Sequence, residues 1–125
     1  MQFNLPGWTI ARAENFFQRL QGLMFKSGLP PRHGLFFSRC NAVHTCFMRF
    51  TIDVVFLDDL GHIHSIHPGL KPWRYAYDKR ARDCLELPAG AAHELGLQPG
   101  QMLYDKTDAA ALMLAAEQGL EQLRE

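Results

Sequence analysis

Between residues 40 and 58 the chain reads Cys-Asn-Ala-Val-His-Thr-Cys-Phe-Met-Arg-Phe-Thr-Ile-Asp-Val-Val-Phe-Leu-Asp. Cys40, His44, Cys46, Met48 and Asp53 bring two thiols, an imidazole, a thioether and a carboxylate into a segment otherwise suited to core strand. Read as one strand over residues 43–50, side chains alternate faces. His44, Cys46, Met48 and Phe50 then share one face, and Val43, Thr45, Phe47 and Arg49 the other. Imidazole, thiolate and thioether form a soft ligand set of the kind that holds Cu(I) or Zn(II), with Cys40, His44 and Cys46 as the candidate ligands. Alternate residues of a strand lie about 6.5–7 Å apart, so a neighbouring element would have to complete any shell. Cys and Met also fill cores well, and no metal or other cofactor is expected.

The same residues suit nucleophilic chemistry by type. A cysteine needs a base or a cation beside it; His44 could serve Cys40, with Asp53 orienting the ring. Asp53 interrupts the run Ile52-Asp53-Val54-Val55-Phe56-Leu57. A buried carboxylate must be paired or hydrogen-bonded; Arg49, Arg82 or turn N–H groups could supply the partner. The structural reading, a carboxylate that pins the bend between two strands, is preferred to a catalytic one. His62 and His64 make a His-x-His pair at metal-site spacing, which a solvated hairpin edge would equally show. Lys71-Pro72-Trp73-Arg74-Tyr75-Ala76-Tyr77 interleaves cations with aromatics, a pattern that can stack bases or sugars or cover a sheet edge.

The elements that position these residues follow from pattern. Short strand pieces at 3–5 and 8–10 are broken by Pro6-Gly7. From Ala11, Phe16, Phe17, Leu20, Leu23 and Met24 recur at helical spacing. Strands are predicted at 34–38, 43–50, 52–58, 62–67, 83–87 and 101–104, with 53–67 as a β-hairpin turning at Asp58-Asp59-Leu60-Gly61. Residues 68–82 read as the longest irregular stretch. A short helical piece over 91–95 is stopped by Gly96, and a last amphipathic helix begins at Thr107 or Asp108. The predicted class is mainly β (α+β): a small antiparallel sandwich or partly open barrel with flanking short helices. Residues 1–106 form the β-rich domain, and 107–125 a helix packed on it.

Composition narrows the partners. The 125 residues carry 13 basic and 13 acidic side chains, a balance that argues against nucleic acid, whose binders usually carry a basic excess. Three cysteines, an odd number, suit a reducing compartment rather than a disulfide framework. There is no apolar run of the roughly 18 residues a membrane helix needs and no signal-peptide pattern. A soluble, cytoplasmic protein is expected. Phosphate-binding glycine loops, Cys-x-x-Cys, His-Glu-x-x-His and Gly-x-Ser-x-Gly are absent.

Ordered motifs carry a family resemblance. They are Gly22-Leu23-Met24-Phe25 with Gly34-Leu35-Phe36-Phe37, then Val43-His44-Thr45, Met48-Arg49 and Ile52-Asp53-Val54-Val55-Phe56-Leu57-Asp58, and finally Leu85-Glu86-Leu87-Pro88-Ala89-Gly90 with Gly96 and Gly100. Together, over about residues 10–104, they resemble the domain-of-unknown-function 192 family. The resemblance implies a compact β-rich domain and no established activity. Cys46 stands where the family pattern leads one to expect an apolar residue or glycine, and the segment beyond Lys106 lies outside the motifs.

The expectation for function is a non-enzymatic binding or accessory domain. Its small-ligand or peptide groove would be lined by His44, Met48, Asp53, Trp73 and Arg74. The alternative is a metal- or thiol-dependent activity at Cys40, His44 and Cys46; a weaker one is single-stranded nucleic-acid binding through residues 73–82.

Overall fold

Ile52-Asp53-Val54-Val55-Phe56-Leu57 is buried at every position, the signature of a strand covered on both faces. It forms β4 in a computed structural model that describes residues 3–13, 28–46 and 48–104. The other strands are β1 (Thr9–Arg12), β2 (His33–Phe37), β3 (Ala42–His44), β5 (Ile63–Leu70), β6 (Tyr75–Tyr77) and β7 (Asp83–Pro88), followed by one short helix, α1 (Ala91–Glu94). Beyond Ala13, the helix expected from Ala11 to near Gly22 lies outside the described residues, as do the Gly22-Leu23-Met24-Phe25 motif and the terminal helix.

Five strands make one open sheet in the order β1-β2-β7-β4-β5, and β3 and β6 make a two-stranded ribbon. The sheet does not close into a barrel. All pairings are antiparallel except β1 with β2, which is parallel. Alternation along β4 and β7 divides the core. Val55, Leu57, Leu85 and Leu87 pack with Leu5, Phe36, Ala91, Ala92, Leu97 and Leu103 on one face. Ile52, Val54, Phe56 and Cys84 pack with Val43 and Ala76 of the ribbon, Phe37 and Met48 on the other. The ribbon is thus a second layer over the large sheet.

Four local expectations are corrected. The strand predicted over 43–50 ends at His44: the Thr45 N–H turns to the carbonyl of Arg74 and its own carbonyl accepts the N–H of Trp73, so the two-face division of 43–50 does not hold beyond Thr45. The stretch 68–82 is not irregular throughout, because β6 pairs with β3 at Val43↔Ala76. Ala11 and Arg12 continue β1 rather than opening a helix. Residues 101–104, read as a strand, make only isolated bridges, Met102 to His62 and Tyr104 to Phe3.

The hairpin of β4 and β5 is present, with two irregularities. Ile52 faces Leu70 and Val54 faces His67, so Asp53 alone opposes Pro68 and Gly69. Phe56 faces Ser65 and Leu57 faces Ile63, which leaves His64 as an extra residue. Both are β-bulges, which bend a strand and re-aim its side chains. Pro68 has no N–H to lose, and Gly69 takes φ +62°, a conformation glycine adopts without steric cost.

Candidate functional site

Thr45 is completely buried and holds a loop by its hydroxyl. Its Oγ1 donates to the carbonyl of Lys71 at 2.5 Å and accepts the N–H of Arg74 at 2.8 Å. Between those anchors Trp73 sits at φ +62°, a left-handed conformation that is rare for a bulky residue. The clamp presents the ring outward, 57% exposed. Just beyond it, on β6, Tyr75 and Tyr77 stack with ring centroids 6.4 Å apart and are 65% and 51% exposed. His44 on β3 is also exposed and lies opposite Tyr75.

Beside this aromatic strip lies a shallow cleft of about 340 Å³, lined by residues 66–71 and Arg74. Its wall is the Pro68-Gly69 bulge of β5, held by Asp53. One oxygen of that carboxylate accepts the N–H of Gly69 and the other the N–H of Ala92, both at 2.9 Å. Asp53 is 1% exposed. It therefore joins β4, β5 and α1 through backbone N–H groups of the β5 bulge and the helix rather than through Arg49, Arg82 or a turn, and reaches the cleft only by shaping it. Met48 is buried in the core cluster under the ribbon, where it fills space. Of the five residues assigned to the groove, His44, Trp73 and Arg74 are at the surface and Asp53 and Met48 are inside.

Cys40, His44 and Cys46 do not gather. Among the described residues no three His, Cys, Asp or Glu side chains converge to hold a metal. Cys40 lies instead against Cys84, with the sulfurs 3.3 Å apart. Two histidines meet acids: His62, just before β5, lies 3.7 Å from Asp58, and His64 of β5 bonds Asp78 through Nδ1. Asp78 also accepts the Ser65 hydroxyl at 2.6 Å and the Arg80 N–H at 3.0 Å. Burial works to raise the Asp78 carboxyl. The bonds from Ser65, His64 and Arg80, with the nearby His64, outweigh it and hold the carboxyl below its ordinary value.

Two residues escaped sequence reasoning. Thr45 entered only as a member of the Val43-His44-Thr45 motif, and nothing local marked its hydroxyl as a loop anchor, because threonine is common in strands. Cys84 reads as one apolar position in Asp-Cys-Leu-Glu-Leu, and only the pairing of β7 brings it to Cys40.

Comparison with known proteins agrees with the motifs. The profile of the DUF192 family, described as Uncharacterized ACR, matches residues 4–104. A UPF0127 protein of Pyrococcus furiosus is 40% identical over 98 residues, covering 73% of this chain and 81% of the relative. One of Pyrococcus horikoshii is 42% identical over 85 residues, covering 62% and 70%. Among solved structures, a candidate transcription regulator from Sinorhizobium meliloti is similar at TM-score 0.70 and 28% identity, over 78% of this chain and 81% of that one. A protein of unknown function from Novosphingobium aromaticivorans shares the fold at TM-score 0.65 and 22% identity, over 76% and 71%.

Proposed function

This chain belongs to the DUF192 family of uncharacterised proteins, and from that premise we propose that it is a non-enzymatic binding or accessory module. Its ligand is a small anionic molecule or short acidic peptide, taken up at the cleft of His67, Gly69, Lys71 and Arg74 and on the strip of His44, Trp73, Tyr75 and Tyr77. One observation carries the reading. Three of the five large apolar side chains exposed among the described residues are Trp73, Tyr75 and Tyr77, together and beside Lys71 and Arg74. Exposed aromatics next to cations offer stacking and charge at little entropic cost. Asp53 and Thr45 act here as positioning residues. The reading places the protein in the cytoplasm, where lasting structural disulfides are rare.

The test is thermal stabilisation by a panel of small carboxylates, phosphorylated compounds and acidic peptides. Trp73→Gly removes the ring while easing the left-handed backbone, so a loss of ligand-induced stabilisation reports binding rather than folding. Leu60→Ala, an exposed residue elsewhere, is expected to keep it. A ligand shift that survives both Trp73→Gly and Arg74→Ala would sink the proposal.

A second reading rests on the stacked Tyr75 and Tyr77 followed by Lys79, Arg80 and Arg82. A single-stranded nucleic acid would use that row, and the Sinorhizobium neighbour's description as a candidate transcription regulator is in keeping with it. Oligonucleotide binding that weakens steeply with salt, with no response to the small ligands, would favour that reading over the first.

A further inference from the structure

Cys40 and Cys84 lie 44 residues apart in sequence, with their sulfurs 3.3 Å apart. The two sit differently. Cys84 is fully buried on β7, paired with Phe37 of β2 on one side and Phe56 of β4 on the other. Cys40 is half-buried in the turn after β2, and it lines an open pocket of about 410 Å³ with Arg39, Asn41, Ala81 and Arg82. Several bonds hold that turn against the sheet. The Cys40 N–H donates to the carbonyl of Arg82 at 2.9 Å, and the Cys40 thiol to the carbonyl of Ala42 at 3.2 Å. The Arg39 N–H donates to Asp83, the residue before Cys84, at 3.1 Å. Arg39 itself takes φ +53°. The backbone is thus fastened on both sides of the thiol pair.

We infer that Cys40 and Cys84 are a reversible dithiol, with Cys40 as the attacking thiol and Cys84 as the resolving one, and that the pocket admits low-molecular-weight disulfides bearing carboxylates. The chemistry balances as thiol–disulfide exchange. The Cys40 sulfur, as thiolate, attacks one sulfur of the small disulfide. That S–S bond breaks, one small thiolate leaves and takes up the Cys40 proton, and a mixed disulfide remains on Cys40. The Cys84 sulfur then attacks the Cys40 sulfur. The second small thiolate departs with the Cys84 proton, and a Cys40–Cys84 disulfide forms. Two protein thiols are oxidised and one small disulfide is reduced to two thiols. A disulfide needs its sulfurs about 2.05 Å apart, so the pair must close by little more than an ångström. Arg39 and Arg82 draw an anionic disulfide into the pocket. This inference is independent of the cleft proposed for ligand binding, since it uses none of its residues.

Peptide mapping of the intact wild-type protein, exposed to oxidised glutathione and quenched by alkylation, tests it without relying on any variant's folding. The expected product is a Cys40–Cys84 disulfide with Cys46 alkylated. Oxidation by glutathione disulfide should outpace that by cationic cystamine by about tenfold, and Arg39→Ala with Arg82→Ala should erase the difference. Cys84→Ala should halt at a glutathionyl group on Cys40, which a reductant removes. A mixed disulfide that persists on Cys40 in the wild type, or a disulfide involving Cys46, overturns the pairing. Equal rates for the anionic and cationic disulfides overturn the role of the arginines.

Discussion

Asp53 shows how one side chain can read as chemistry and act as architecture. A carboxylate among Ile52, Val54 and Val55 invites a catalytic reading, but each of its oxygens is committed to a backbone N–H, of Gly69 and of Ala92. Asp53→Asn keeps the size and one acceptor and sets an NH2 against the other N–H. The expected loss is roughly 1–3 kcal/mol, the cost of a buried donor left without its acceptor, read as a lower denaturant midpoint. If stability were unchanged while the bulge kept its hydrogen-exchange protection, the pinning role would be wrong. Thr45 is the same lesson from the other direction. It is an unremarked residue whose hydroxyl sets where Lys71, Trp73 and Arg74 lie. That Asp53 must find a partner was legible in the sequence; that the partners come from β5 and α1 was not, because Gly69 and Ala92 stand 16 and 39 residues away.

At the scale of elements, the turn after β6 is tied to β5 through Asp78, which accepts from Ser65 and His64 across the gap and from Arg80 within the turn. Its carboxyl is held below the ordinary value in the folded state. The unfolded chain therefore binds the proton first, and the stabilisation is fully present above the ordinary carboxylate range near pH 4. It is lost as pH falls through the folded value. Asp78→Asn should lower stability at neutral pH and reduce the further loss on acidification below about pH 4, measured as denaturant midpoints across pH. An acid limb of unchanged steepness would count against this tie. The ribbon of β3 and β6 was only half visible in sequence. Val43 and His44 read as strand, but β6 has three residues, Tyr75–Tyr77, within a stretch of interleaved cations and aromatics. Three residues are too few to show a period; pairing with β3 makes them a strand.

For the molecule as a whole, the open sheet is closed off at one end by a contact between distant segments. Gly61 takes φ +88°, and its carbonyl accepts the N–H groups of Leu103 and Tyr104. A Cβ on Gly61 would stand 1.6 Å from the carbonyl oxygen of Tyr104. Gly61→Ala must therefore displace the 101–104 segment, which carries the fully buried Leu103. The expected cost is roughly 2–4 kcal/mol, combining a forbidden backbone angle with lost core packing. A thermal midpoint equal to wild type would contradict it. The sequence by itself determined the β-rich class, the β4–β5 hairpin, the family and the strangeness of residues 40–58, because alternation, turn residues and local motifs are written along the chain. Only the tertiary structure decided that Met48 and Asp53 are interior, that Trp73 and the tyrosines share a surface, and that Cys40 answers to Cys84. Those facts depend on which strands lie side by side, and pairing across 44 residues is set by the burial of whole faces rather than by any local pattern.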